Sequence, residues 1–396
     1  MTRFRSPSVL VALILLVACG TSTTTTSNTN SNNPFRVLMI VNLTGSSAYL
    51  GQADVLAYRA ASKFLNKTGG ILNRQITIDY VDSQGDPTKA VSLLAERINS
   101  GTKYDFCECG TFSAETLALL SSTTKAKLLT MAVGPAAGID DPVNHPYHFG
   151  YGPQLKYLNQ SIAPYVQKQG YKKAGILIST DAAGLTQMSL YQQQLSALGI
   201  QPITQQYTAS GLDFTAELEA LRSKQPDVVV LYSFGPATGI ILRNRAKLGW
   251  NIPFIADNST TSQDLTSLVS KEQLNGVTEA HLVLDVPPDA KRKTSQWQTM
   301  YDTLQAEGPL VAPLSIYSRR FDALIYIATA AKQAGSTDPD KIRQTLESLK
   351  TPTPIPWVTF AHPLGYSSTE HFVVSADDDF AFTGPTHLDN GLDKPI

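Results

Sequence analysis

The chain has 396 residues, a formal net charge of −1, 16% charged and 42% hydrophobic residues. That length exceeds one ordinary core and points to two domains, and a near-neutral balance without a basic block gives no reason to expect nucleic acid as a partner. Three cysteines are too few for a disulfide framework.

Arg3 and Arg5 precede an apolar run at residues 9–17, too short for a lasting bilayer span of about 20 residues. Residues 1–18 therefore read as a secretory signal peptide. Leu16, Val17, Ala18 and Cys19 look like a bacterial lipobox, which would make a lipidated Cys19 the first mature residue. Residues 19–33 then form a flexible tether, because Thr, Ser and Asn offer nothing to bury. The expected location is extracytoplasmic, on the outer face of a membrane or facing a periplasm, held through the lipid anchor alone. No second long apolar run follows, so the body is expected to be soluble.

From residue 34 the elements alternate. Residues 36–43 (RVLMIVNL) read as a strand, followed by a helix over 51–66 with Val55, Tyr58, Ala61 and Leu65 at helical spacing. A strand at 76–81 leads to Asp86 and Pro87, an N-cap and first-turn proline opening a helix whose buried face reads as Val91, Leu94, Ala95 and Ile98. A strand at 104–109, a helix at 113–124 and a strand at 128–133 complete the first unit. Cys107 and Cys109 lie two apart on one strand, where a bridge would be strained, so free buried thiols are expected.

After about Phe149 the pattern repeats. Strands are read at 174–179, 202–207, 227–232, 252–256 and 277–283, with helices at 184–198, after Asp213, and at 236–248. Helices at 291–306, 315–334 and 339–349, then short β-like pieces at 358–360 and 371–375, close the chain. Alternation of this kind specifies parallel sheets with helices on both faces. Two Rossmann-like lobes follow: residues 34–149 with about 285–355, and 150–284 with about 356–396. The chain would cross between them about three times.

Ligands of open parallel sheets sit beyond the carboxyl ends of the strands. The loops concerned are 44–50, 110–113, 134–137, 180–183, 233–235 and 257–259. Residues 110–113 open a helix whose free N–H groups suit a carboxylate, with Thr111, Phe112 and Ser113 as candidates. Ser113 reads equally well as a helix cap.

The chain also resembles a family. Leu43, Thr44 and Gly45 with Gly51 and Gln52, then 66–71 (NKTGGI) and 82–90 (DSQGDPTKA), resemble the amino-terminal lobe of bacterial solute-binding proteins of the leucine/isoleucine/valine-binding type. Residues 211–214 (GLDF) and Gly249 are similar to its second lobe. The resemblance implies a type I periplasmic-binding-protein fold that closes on a small solute and serves an ABC permease and its ATPase subunits, as a monomer without cofactor. It also implies that a hydroxyl at Thr111 helps to bind a carboxylate and that Phe234 forms an aromatic wall.

Other positions depart from the family. Leu50 stands where an aromatic is usual, with Tyr49 beside it, and a second hydroxyl position falls on Pro135 or Ala136, after Gly134. A Tyr-Gly pair is Ala183 and Gly184 here. Asn258 stands where an acid pairs with the ligand's ammonium, and an uncompensated buried charge costs several kcal/mol. Asp257 or Asp181 is a replacement acid or else a capping aspartate. The implied solute is a small amino-acid-like, amide or carboxylate compound.

Catalysis is not expected. No nucleophile elbow, paired metal-binding histidines, P-loop or complete dinucleotide fingerprint occurs. Gly150, Tyr151 and Gly152 lack a third glycine, and His145 and His148 read as a loop pair among prolines, not a metal site. A sensor that presents its liganded form to a signalling partner is the alternative reading.

Overall fold

A computed structural model describes residues 33–152, 155, 160–348, 366–372 and 380–396. Its first sheet contains β1 (Phe35–Val41), β2 (Ile76–Asp82), β3 (Phe106–Cys109), β4 (Thr130–Ala132) and β5 (His148–Gly150), all parallel, in the order β2-β1-β3-β4-β5. The helices α1 (Ala48–Asn66), α2 (Pro87–Asn99) and α3 (Ser113–Lys125) connect them. Period-two alternation divides β1 cleanly. Phe35, Val37, Met39 and Val41 join one core cluster, with Tyr58 of α1, while Leu38 and Ile40 join another with Leu94 of α2 and Leu119 of α3.

The second sheet repeats the plan. β6 (Lys173–Ser179), β7 (Gln201–Tyr207), β8 (Val228–Tyr232), β9 (Phe254–Ala256), β10 (Val277–Leu282) and β11 (Phe380–Thr383) run in the order β11-β10-β9-β8-β6-β7, with only β11 antiparallel to its neighbour. The helices α4 (Ile162–Lys168), α5 (Ala182–Ala197), α6 (Thr215–Ser223) and α7 (Pro236–Lys247) accompany it. Strand order reverses between β1 and β3 in one sheet and between β6 and β8 in the other, which is where such sheets open a crevice.

Three later helices, α8 (Ser295–Gln305), α9 (Leu314–Ala334) and α10 (Pro339–Ser348), pack back on the first sheet: Trp297, Phe321 and Leu346 share a cluster with Phe35 and Tyr58. A final hairpin, β12 (Thr386–Asp389) and β13 (Leu392–Pro395), bridges the two halves. Leu392 enters the first-sheet cluster, whereas Thr386 donates its N–H and hydroxyl to Glu279 on β10.

Caps form as the residues dictate. Asp86 accepts the Thr88 and Lys89 N–H groups with Pro87 in the first turn, and Asp338 accepts that of Lys341. Asp213 accepts the Thr215 N–H, although α6 begins one residue after Phe214.

Several expectations are corrected. The buried residues of α2 are Ala90 and Leu94, while Ala95 and Ile98 are exposed. His148 is a strand residue, buried in β5 with Nδ1 2.8 Å from the Thr130 hydroxyl, and burial pushes its pKa down to about 3. Three residues among prolines carry no readable alternation, which hid β5. Cys107 and Cys109 are joined as a disulfide. Their Cα atoms are 5.4 Å apart, against about 6.6 Å for two residues of a fully extended strand, so contraction of β3 brings them from the upper end of the bridged range to near its commonest spacing. The β-like stretches at 358–360 and 373–375 lie outside the described residues, as do Cys19 and the leader; His371 and Phe372 are in no strand.

Candidate functional site

The carboxyl ends of both sheets face a common cleft of about 380 Å³. Leu50, Thr111, Phe112, Ser113 and Pro135 line it from the first sheet, and Asp181, Ala183, Phe234 and Asn258 from the second. Two close approaches hold its rims. A Cβ on Gly51 would lie 2.0 Å from the Asn42 carbonyl oxygen, and one on Gly184 would lie 2.2 Å from that of Ser179. Glycine thus lets α1 and α5 start hard against the ends of β1 and β6 in the same way.

The first-sheet wall differs in detail from expectation. α3 starts at Ser113 with Phe112 as its cap residue, so Ser113 is not the N-cap; Glu115 reaches back to accept the Phe112 N–H at 3.0 Å. The Ser113 hydroxyl accepts the Ala136 N–H. Thr111 is 3% exposed, and its hydroxyl accepts the Asn42 N–H at 3.0 Å and faces Asp54 at 3.4 Å. Its oxygen therefore already ties β1, α1 and α3 together. Phe112 lies over Gly85, where an added Cβ would be 3.4 Å from the ring.

Beneath Thr111 is a buried charged network. Arg320 of α9 pairs with Asp54 and sits 5.2 Å above the Tyr151 ring. Glu108 accepts hydrogen bonds from the Tyr58 and Tyr151 hydroxyls. Burial, then the Asp54 charge, push Glu108 up to about 8. Arg320 and its neighbour Arg319 both line the cleft, together with Ser315 and Asp285. Asp285 accepts the Ser315 N–H at 2.7 Å, capping α9, and burial pushes it up to about 7.

On the second-sheet wall Asp181 caps α5: it accepts the Gly184 N–H at 2.9 Å and the Ser179 hydroxyl. Asp257 faces away from the cleft. It is fully buried, accepts the Tyr191 hydroxyl at 2.8 Å and the Thr260 N–H at 3.1 Å, and is pushed up to about 7 by burial. Asn258 is half-buried on the wall. Phe234 stands edge-on to Tyr232, with ring centroids 5.4 Å apart.

Three further candidates also fall outside the cleft lining. Tyr49 lines a more open hollow of about 950 Å³ on the flank and reaches the Ser262 hydroxyl at 3.4 Å. Ala136 lines a hollow of about 350 Å³ on the other side. Gly134 packs against α3 and Ile139, where a Cβ would come 3.0 Å from the Thr116 hydroxyl oxygen and 2.9 Å from the Ile139 side chain. The flank hollow is larger, but the smaller cleft collects the strand-end loops of both sheets, so chemistry favours it. Arg319, Arg320, Ser315 and Tyr232 are cleft residues that the strand-end rule missed. α9 arrives from far along the chain, and Tyr232 is the last residue of its strand and not part of a loop. Among the described residues no group of three metal-ligating side chains occurs.

The family model for periplasmic binding proteins matches residues 34–379. A leucine-, isoleucine-, valine-, threonine- and alanine-binding protein of Pseudomonas aeruginosa is 21% identical over 330 residues, 78% of this chain and 82% of that protein. The fold is that of a type 1 periplasmic binding protein from Bordetella pertussis (TM-score 0.78, 20% identity, 92% of this chain and 100% of that one). It is also that of an ABC-transporter solute-binding protein from Rhodopseudomonas palustris solved with 3,4-dihydroxybenzoic acid (TM-score 0.72, 18% identity, 91% and 98%). By the match across its body and the paired sheets, this chain belongs to the periplasmic binding protein family.

Proposed function

We propose that this protein is the extracytoplasmic receptor of an ABC importer and captures a small amino-acid-like, amide or carboxylate solute between two closing lobes. The observation that carries this reading is the cleft itself, with walls from the strand ends of two like sheets. A solute touching both walls binds a closed form better than an open one, and that difference shifts the population. The description of the Rhodopseudomonas relative as a solute-binding protein of an ABC transporter supports the partner, a permease with its ATPase subunits.

In this reading the lobes comprise residues 34–149 with about 285–355 and 150–284 with about 356–396, and the receptor acts as a monomer. Removal of residues 1–18 and lipidation of Cys19 anchor it to the membrane, and the tether over 19–33 keeps it near the permease. The cleft performs no chemistry on the solute.

Thermal unfolding against a panel of amino acids, their amides, hydroxy acids and aromatic acids tests the reading. A cognate solute at a hundred times its dissociation constant adds about 2.7 kcal/mol of stability, which raises the melting temperature by several degrees. A panel without any such shift would contradict it.

A further inference from the structure

Two phenylalanines line the cleft from opposite sheets, Phe112 at the start of α3 and Phe234 two residues past β8. Each is held in place by its own half of the molecule. Glu115 accepts the Phe112 N–H at 3.0 Å, and the Phe112 ring packs over Gly85, where a Cβ would lie 3.4 and 3.6 Å from two ring carbons. Phe234 stands edge-on to the fully buried Tyr232, with the two ring planes at 89°. The next residue, Gly235, has a φ of +57°, and a Cβ there would be 3.3 Å from the Ser47 hydroxyl oxygen. The turn that carries Phe234 is therefore pressed against the opposite rim of the cleft.

The two rings belong to separate cores. Phe112 packs against the main cluster of the first sheet and Phe234 against one of the second. Both are half-buried, so each keeps ring surface for the cleft. Leu50, Pro135 and Ile316 add apolar surface that any hydrophobic body can use. A ring offers something more, because aromatic pairs in offset-stacked or edge-to-face geometry gain affinity beyond the area they bury. With one ring on each half, a planar solute collects that gain twice only when the halves are together, which is the differential that closure requires.

We infer that the solute carries an aromatic ring held between Phe112 and Phe234, and that these two residues set a preference for planar over saturated bodies. The inference rests on the receptor reading and specifies its solute.

Compounds that differ only in the saturation of the ring test it. Isothermal titration of the purified protein would pair benzoate with cyclohexanecarboxylate, 3-phenylpropanoate with 3-cyclohexylpropanoate, benzamide with cyclohexanecarboxamide, and phenylalanine with cyclohexylalanine. In every pair that binds, the aromatic member should be at least about fivefold tighter, from two ring contacts. Phe112→Leu and Phe234→Leu keep apolar surface but remove one ring each, so each should lower that ratio about twofold or more, and the double variant should bring it to about one. Phe112→Tyr and Phe234→Tyr keep the ring and should keep the ratio, which separates a loss of the ring from a disturbed fold. A ratio of about one in the parent protein, or tighter binding of the saturated members, overturns the inference and leaves the receptor reading standing. A ratio that survives in the double leucine variant overturns the assignment to these two rings. If no pair binds, the inference falls, and a shift by any other solute of the broader panel still upholds the receptor.

Discussion

Arg320 owes its place inside the protein to Asp54, and Asp54 is fully buried. Removing one partner of such a pair strands the other's charge, so Arg320→Ala should cost about 3–5 kcal/mol in urea unfolding, whereas an exposed pair would cost under about 1 kcal/mol. Glu108, in the same network, gives a pH signature. Its carboxyl is raised from 4.5 to about 8 in the fold, so its contribution to stability is complete below pH 4.5 and is lost as pH rises to about 8. Asp257 and Asp285, both raised from 3.8 to about 7, act in the same direction. Glu108→Gln cannot ionise, and its melting temperature should fall less than the parent's between pH 4.5 and 8; identical slopes would exclude a neutral Glu108. Thr111 shows how far single residues were legible. Its position on the cleft followed from the rule about strand ends, but its hydroxyl is occupied by Asn42 and Asp54, partners that lie 69 and 57 residues away.

At the scale of elements, α5 starts on Asp181, and a cap of this kind is worth about 1 kcal/mol. Asp181→Ala should lose that amount in chemical denaturation, while Asp181→Asn should keep it. If Asp181→Asn abolished amino-acid binding with stability intact, the residue would be the solute's counter-ion and not a cap. The terminal hairpin is pinned by a charged histidine: His281 lies 3.0 Å from Glu279 and 2.9 Å from Asp393. Burial opposes its protonation, yet the hydrogen bonds to Asp393 and Glu279 prevail and raise it from 6.5 to about 10. That stabilisation is complete below pH 6.5 and disappears as pH climbs through about 10. Hydrogen exchange corrected for intrinsic rates should therefore show β12 and β13 losing protection toward pH 10 ahead of β1, and parallel loss in all three strands would contradict the clasp. Helices and long strands were legible because hydrophobic period and caps are local: Asp86 with Pro87 announced α2, and the apolar run 36–41 announced β1. β5, of three residues, carries no period, and the Cys107 to Cys109 bridge is eased by a local contraction of β3 that residue spacing does not reveal.

For the whole molecule, the doubled sheet plan places two switch points face to face, and the parts between them decide function. Contacts already join the two halves on either side of the cleft: the Ala137 N–H donates to Thr186 at 3.2 Å, and Tyr49 meets Ser262 at 3.4 Å. Beside these polar contacts a small apolar cluster packs Leu117, Ala136 and Ile139 against Ala182 and Ala183, and a hinge that opens must part it as well. The tandem arrangement was legible from βα alternation, whereas the cationic wall was not, because α9 joins the cleft from more than 200 residues along the chain from Asp54. Small-angle X-ray scattering, with and without the solute that most raises the melting temperature, tests the central claim of closure most directly. The account predicts a protein more extended than this structure when free, which compacts to it on saturation. A radius of gyration unchanged by a bound solute would contradict a receptor that works by closing.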